Sequence, residues 1–242
     1  MIGLTSITFR NKSIEEVIEF AKKAGVSAIE WGSDVHVPPG NVEVAKEVAL
    51  KCINEKINIC SYGSYYKLGQ NQNFELFLNS AQALNTSRIR IWAGTKGSNE
   101  ISSIERELLI LESIDIASKA AKFNIEIGFE YHRNTLTDNK ESALQLIKEV
   151  DLDNVFLYWQ PNPDVTEKEK LDEIHLLNPY IKSVHFFNWS IGNTRHLMSE
   201  GIIEWSRYIN AINKEIPYLL EFTLADNDDN ALSDITTIKK LF

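Results

Sequence analysis

Short apolar runs alternate with amphipathic stretches along the whole chain. Runs rich in β-branched and aromatic residues predict strands at residues 3–6, 27–31, 57–62, 88–92, 125–130, 155–159, 181–186 and 218–222. Helical periodicity predicts a first helix from the N-cap Ser13, with Glu16 three residues on, to near Gly25. Further helices are predicted at residues 42–55, 73–84, 103–123, 139–150, 167–177, 202–213 and 229–241.

This alternation indicates a parallel sheet, because each strand is followed by a helix that can return the chain to the same edge. Eight such units in 242 residues predict an α/β fold, a single (β/α)₈ TIM barrel, with one domain over residues 1–242. The alternative is an open doubly wound sheet, which usually carries a glycine-rich phosphate turn after a strand. Neither GxGxxG nor GxxxxGK[ST] occurs in the chain, so the barrel is favoured.

Composition narrows the class of protein. Hydrophobic residues make up 43% of the chain and charged residues 24%, as in ordinary globular domains. The net charge of −9 opposes a general nucleic-acid binder, which needs a basic surface. Two cysteines without a CxxC spacing favour a reduced, cytoplasmic setting. There is no apparent signal peptide, and no apolar run approaches 18 residues, so no membrane span is predicted.

Three predicted strands end in side chains that can ligate a metal. These are Glu130, His185 and Glu221. The carboxyl ends of barrel strands meet on one face, so we expect the three side chains to converge there. Carboxylate and imidazole ligands suit Mn²⁺, Mg²⁺, Co²⁺ or Zn²⁺. A divalent metal site is therefore predicted, and the alternative is a set of buried ion pairs.

The chain resembles the xylose isomerase-like barrels, or sugar phosphate isomerases and epimerases, over essentially its whole length. The resemblance lies in the opening Gly-Leu-Thr-Ser, the Ala-Gly-Val-Ser-Ala-Ile-Glu-Trp run at 24–31, Glu-Tyr-His at 130–132, Ser-Val-His at 183–185 and Leu-Glu at 220–221. It implies a metal held by Glu130, His185 and Glu221 together with an aspartate. Gln160 stands where that aspartate is expected, so the implied metal affinity is weaker. The resemblance also assigns Glu130 and Glu221 as the acid–base pair and His132 as a substrate-side histidine.

Five more residues near strand ends are candidates for substrate binding. Family resemblance suggests Glu30 and His36 near the substrate mouth and Arg195 on a substrate or phosphate. Aromatic walls suit sugar faces, which makes Trp92 and Trp159 candidates. Each has an ordinary alternative: His36 as a loop histidine, Arg195 as a solvated loop residue and the tryptophans as core.

The leading hypothesis is a metal-dependent isomerase or epimerase of a small sugar or polyol derivative. One alternative is a 3-dehydroshikimate dehydratase-like lyase, which the string from Glu130 to Asp138 resembles. Another is a sugar-binding barrel without turnover. An endonuclease IV-type repair enzyme shares the barrel, but this chain has five histidines in all and a net charge of −9, which argue against it. Resemblance also suggests a possible homo-oligomer.

Overall fold

Eight parallel strands close into a barrel in a computed structural model that describes residues 1–242. The strands are β1 Ile2–Thr5, β2 Ala28–Gly32, β3 Asn58–Lys67, β4 Arg88–Trp92, β5 Glu126–Glu130, β6 Val155–Trp159, β7 Ile181–Phe186 and β10 Tyr218–Leu220. Their order around the barrel is β1-β10-β7-β6-β5-β4-β3-β2, so neighbours in space are neighbours in the chain apart from the closing pair and one inserted hairpin. The predicted TIM barrel is confirmed.

Eight helices surround the barrel. Ser13, Ser102 and Thr166 each accept a backbone N–H and pair with a glutamate three residues on, which fixes where three of the helices begin. None of the helices combines the length and apolar composition needed to cross a membrane. The helices are α1 Ile14–Lys23, α2 Val42–Asn54, α3 Phe74–Ala83, α4 Ser103–Ala121, α5 Lys140–Val150, α6 Glu167–Leu177, α7 Ile202–Ile212 and α8 Asp228–Lys239.

The barrel interior changes from apolar to charged towards the carboxyl ends of the strands. Ala28 and Tyr158 belong to a small buried cluster with Cys60, Phe156 and Leu219. Side chains of a strand alternate between its two faces, so the residues two positions on, Glu30 and Gln160, share the same inner face. The main hydrophobic core, a cluster of 56 buried residues, includes the outer faces of the strands and the helices that cover them.

The structure departs from the sequence prediction after three strands. Strand β3 runs on past residue 62 through an irregularity between Gly63 and Tyr66, where Tyr65 adopts φ +53°. Strand β10 ends at Leu220, because Phe222 adopts φ +64° and cannot continue an extended strand. An unpredicted hairpin follows β7, formed by β8 Trp189–Ser190 and β9 Thr194–Arg195.

Candidate active site

A cavity of about 280 Å³ opens at the carboxyl ends of the strands, where barrel enzymes carry their active sites. Its lining combines charged groups of both signs with aromatic rings, and half of the predicted site residues contribute to it. The lining includes Arg10, Arg90, Arg133, Glu130, Glu221, Asp138, Gln160, Tyr65, Trp92, His132, Phe187, Trp189 and Phe222.

The predicted ligands come together at the floor of this cavity. Ligand atoms of Glu130, His185 and Glu221 all lie within 4.8 Å of one another, and all three residues are buried. The Gln160 Nε2 donates to Glu130 Oε1 over 3.2 Å, which leaves Gln160 Oε1 buried without a partner. Both ring nitrogens of His185 also lack a hydrogen bond. An unpaired amide oxygen and an imidazole beside two carboxylates are a ligand set that fits a divalent cation, although metal binding itself stays a prediction.

A buried arginine joins two carboxylates behind this group. Arg90 is 1% exposed, and its Nε donates to Glu30 Oε1 over 2.9 Å. Its Nη1 donates to Glu130 Oε2, and its Nη2 has no hydrogen-bond partner. Because Arg90 also lines the cavity, this free N–H can serve an oxygen of a bound molecule.

Arg90 was missing from the sequence-based candidates, although the strand contains a signal for it. Arginine and isoleucine alternate through Arg88-Ile89-Arg90-Ile91. With a period of two, the isoleucines face the helices and the arginines face the barrel interior. A buried arginine needs a carboxylate partner, so this alternation indicates an internal ion pair.

Glu30 and His185 stabilise each other's charged form. Burial alone would raise the pKa of Glu30, but the Arg90 and His185 cations lower it to about 2, and Ser61 Oγ donates to it over 2.7 Å. Burial alone would lower the pKa of His185, but Glu221 and Glu30 raise it to about 10. His185 Nε2 lies 3.5 Å from Glu30 and Nδ1 lies 3.4 Å from Glu221. Glu30 therefore orients the histidine from behind, as outer-shell carboxylates do at metal sites.

His132 is held in a geometry suited to a general base. Its ring stacks on Trp92 at 4.3 Å between centroids, with 25° between the planes. Its Nδ1 lies 2.6 Å from the carbonyl oxygen of Arg133, and a carbonyl can only accept, so Nδ1 carries the proton. In the neutral ring Nε2 then has the lone pair, on a residue that lines the cavity.

Four of the five predicted substrate-binding residues lie outside the cavity lining. Trp92 lines the cavity, but Glu30, His36, Trp159 and Arg195 do not. His36 is buried with Nε2 3.1 Å from the Lys12 carbonyl oxygen. Trp159 points out of the barrel and packs edge-on against Trp205, 6.1 Å between centroids. Direct substrate contact by His36 or Trp159 is not supported by these positions.

Arg195 lies beside the cavity rather than in it. Its guanidinium stacks over Trp189 and Phe222, at 5.3 and 5.0 Å from the ring centroids. It also donates to the Thr223 carbonyl oxygen over 3.1 Å and pairs with Asp226. Arg195 thus fixes the hairpin after β7 to the loop after β10, and a contact with substrate stays a prediction.

Two cations at the rim of the cavity were not predicted from sequence. Arg10 pairs with Asp34 at 2.6 Å and donates to the Tyr65 hydroxyl over 2.8 Å. Arg133 pairs with Asp164 at 2.6 Å. Both arginines are held in place by carboxylates that offset their charge, so they offer the cavity guanidinium donors at fixed positions.

Comparison with known proteins agrees with this architecture. The family model for the xylose isomerase-like TIM barrel matches residues 18–239. A curated relative, 3-dehydroshikimate dehydratase from Bacillus anthracis, is 29% identical over 212 residues, which cover 81% of this chain and 74% of that protein.

Solved structures share the fold at lower identity. The crystal structure of the probable 3-DHS dehydratase AsbF from Bacillus anthracis superposes with a TM-score of 0.82 at 22% identity, covering 98% of each chain. D-allulose 3-epimerase from Methylomonas sp. gives a TM-score of 0.75 at 15% identity, covering 100% of this chain and 97% of the epimerase. At these identities the likeness concerns the fold.

Proposed function

Because the chain belongs to the xylose isomerase-like TIM barrel family, we propose that it is a lyase that removes water from a cyclic hydroxy-ketone carboxylate of the 3-dehydroshikimate type. The observation that carries the proposal is the fixed tautomer of His132, which leaves Nε2 with the lone pair that can accept a proton. His132 lines a cavity that three arginines also line. The curated dehydratase at 29% identity supports the same reaction class. We therefore propose the lyase ahead of the isomerase or epimerase, which was the leading hypothesis from sequence.

The residues can divide the elimination between them. His132 Nε2 takes the proton from the carbon next to the ketone, and the hydroxyl group on the following carbon leaves. The leaving hydroxyl receives that proton and departs as water, so one hydrogen and one hydroxyl are lost in total. The remaining ring then tautomerises to an aromatic diol. The free Nη2 of Arg90 donates to a substrate oxygen, and Arg10 and Arg133 favour an anionic substrate.

Four residues would hold a divalent metal in this site: Glu130, His185 and Glu221 through their ligand atoms, and Gln160 through its unpaired Oε1. When bound, such an ion supplies Lewis-acid polarisation of the ketone, which makes the neighbouring C–H bond more acidic. Stacking on Trp92 holds His132 in place near this floor, so its ring needs no reorganisation to take up the proton.

The test is incubation of the purified protein with 3-dehydroshikimate, with and without Mn²⁺, Mg²⁺, Co²⁺ or Zn²⁺. We expect the absorbance of an aromatic product to rise and its mass to be lower by one water. His132→Asn should lose activity by about 10² to 10⁴-fold, the range for a general base. His175→Asn, an exposed histidine on α6, is the matched control and should keep it. No aromatic product under any of these conditions would refute the lyase.

A second candidate, the sugar epimerase, is favoured by the two glutamates that lie with His185 at the floor of the cavity. Glu130 and Glu221 approach within 4.8 Å and could remove and return a proton on a keto-sugar. In deuterated water an epimerase would incorporate deuterium at the epimerised carbon, and Glu221→Gln should abolish the incorporation. Binding of a sugar with neither exchange nor elimination would instead favour the barrel without turnover.

A further inference from the structure

A carboxyl group is buried outside the barrel, behind the candidate site. Glu173 on α6 is 5% exposed, and its Oε2 has no hydrogen-bond partner. The group faces the hydroxyl of Tyr131 and the indole N–H of Trp159. Each of those two polar atoms is also buried and unpaired. Three polar groups at one apolar contact are costly to bury, so packing alone does not account for them.

The two partners of Glu173 are sequence neighbours of site residues. Tyr131 follows Glu130, and Trp159 precedes Gln160. Alternation along a strand turns Tyr131 and Trp159 outwards to α6 while Glu130 and Gln160 point inwards. The strand ends are also joined directly, because Tyr131 N donates to the Tyr158 carbonyl oxygen over 2.9 Å. One carboxyl group outside the barrel thus reaches both strand ends that supply the Glu130–Gln160 pair.

The chemistry of these groups suits a charged Glu173. Trp159 can only donate through its indole, and the Tyr131 hydroxyl can donate, so an ionised carboxylate can accept from both. Burial raises the pKa of Glu173 to about 7, which places its change of charge near neutrality. The charged and titratable groups around the cluster are Lys170 and Glu167 on α6, Lys140, Glu141 and Asp138 at the start of α5, and Tyr208 and Glu204 on α7.

We propose that Glu173 is a positioning residue that draws Tyr131 and Trp159 together and thereby sets the spacing of Glu130 and Gln160 across the barrel wall. The inference rests on the proposed function only in that Glu130 and Gln160 belong to the active site. The ionised form holds the 3.2 Å contact between the two side chains, and the protonated form loosens it. Glu173 touches neither substrate nor reacting atoms, so it acts through its neighbours.

The experiment is a pH titration of the ¹⁵N-labelled protein by two-dimensional NMR, without substrate and with a chelator present. The Trp159 indole and Gln160 side-chain amide signals are assigned from Trp159→Phe and Gln160→Ala. We expect both signals of the wild type to shift with a common midpoint near pH 7. In Glu173→Gln this common transition should disappear. Asp172→Asn, its neighbour on α6, is the matched control and should keep it.

The outcomes separate this inference from the proposed function, because the measurement needs neither turnover nor a metal. Suppose that the Trp159 signal titrates, but that the Gln160 amide signal changes with pH in the same way in the wild type and in Glu173→Gln. That result would overturn the proposal that Glu173 positions Gln160. If Glu173→Gln does not fold, the wild type still decides, because the absence of a common midpoint overturns the proposal. Any other titrating group is present in both proteins, so only their difference is attributed to Glu173.

Discussion

Replacing Arg90 with methionine removes the cation shared by two buried carboxylates. Arg90 and Glu30 are each 1% exposed at their side chains, and that of Glu130 is 4% exposed, so water cannot replace the lost partner. Removing one member of a buried ion pair typically costs roughly 3–5 kcal/mol, because a charge is left buried without compensation. Glu30 keeps Ser61 and His185, and Glu130 keeps the Gln160 amide. We therefore expect Arg90→Met to lose about 4 kcal/mol of stability.

Urea unfolding at several pH values measures this loss. Because the pKa of Glu30 is lowered to about 2, its ionised form contributes stability above its ordinary pKa of 4.5 and loses it as pH falls through 2. Arg90→Met loses the part of this stabilisation that comes from the guanidinium beside Glu30. The difference between variant and wild type should thus be largest above pH 4.5 and narrow towards pH 2.

Two further variants test whether the buried carboxylates depend on Arg90. Arg90→Lys keeps the charge but loses the fork of donors, so its stability should lie between wild type and Arg90→Met. In the double variant Arg90→Met/Glu30→Gln the second change should cost less than it does alone, with a coupling above roughly 1 kcal/mol. A loss below about 1 kcal/mol for Arg90→Met, unchanged with pH, would show that the carboxylates do not depend on Arg90.

Three other predictions follow from single contacts. Gln160→Asp adds a charged ligand and should bind Mn²⁺ at least about tenfold more tightly by calorimetry; unchanged binding would exclude this position as a ligand. Since the pKa of Glu173 is raised from 4.5 to about 7, folding stability should fall as pH rises through this window, by roughly 3 kcal/mol at about 1.4 kcal/mol per pKa unit. Urea unfolding at pH 5 and pH 8 should show this fall in wild type and not in Glu173→Gln. A Cβ at Gly3 would lie 2.5 Å from the Ala28 carbonyl oxygen, so Gly3→Ala should lower thermal stability by about 1–3 kcal/mol; an unchanged melting temperature would contradict the contact.

The fold could be predicted from sequence because its signals are local. Apolar strands and capped helices repeat, and Ser13, Ser102 and Thr166 each begin a helix as a capping residue should. The end of β10 could not be predicted, because the left-handed backbone of Phe222 depends on contacts such as its N–H donating to Thr8 Oγ1 across the barrel. Such contacts join residues far apart in the chain and leave no local pattern.

The position of the candidate site was predictable from sequence, but the contacts within it were not. Strand ends located Glu130, His185 and Glu221 because barrel topology gathers them whatever the loops do. The pairing of Arg90 with Glu30 depends on the stagger between β2 and β4, which no single strand reveals. The position of Trp159 could have been deduced, because neighbouring residues of a strand face opposite ways and Gln160 was assigned to the interior.

The neutral side chain of Gln160 affects the charge balance of the buried site as well as its affinity for a metal. The buried carboxylates of Glu30, Glu130 and Glu221 carry three negative charges, and Arg90 offsets one of them. A divalent ion bound with a neutral His185 would offset the other two, so the site with a neutral Gln160 is balanced. An aspartate at this position would leave one uncompensated negative charge with the ion bound. Without the ion, and with His185 protonated, it would leave two, against one for Gln160. Gln160→Asp should therefore lower the stability of the metal-free protein while it raises metal affinity, a combination that a solvent-exposed position would not produce.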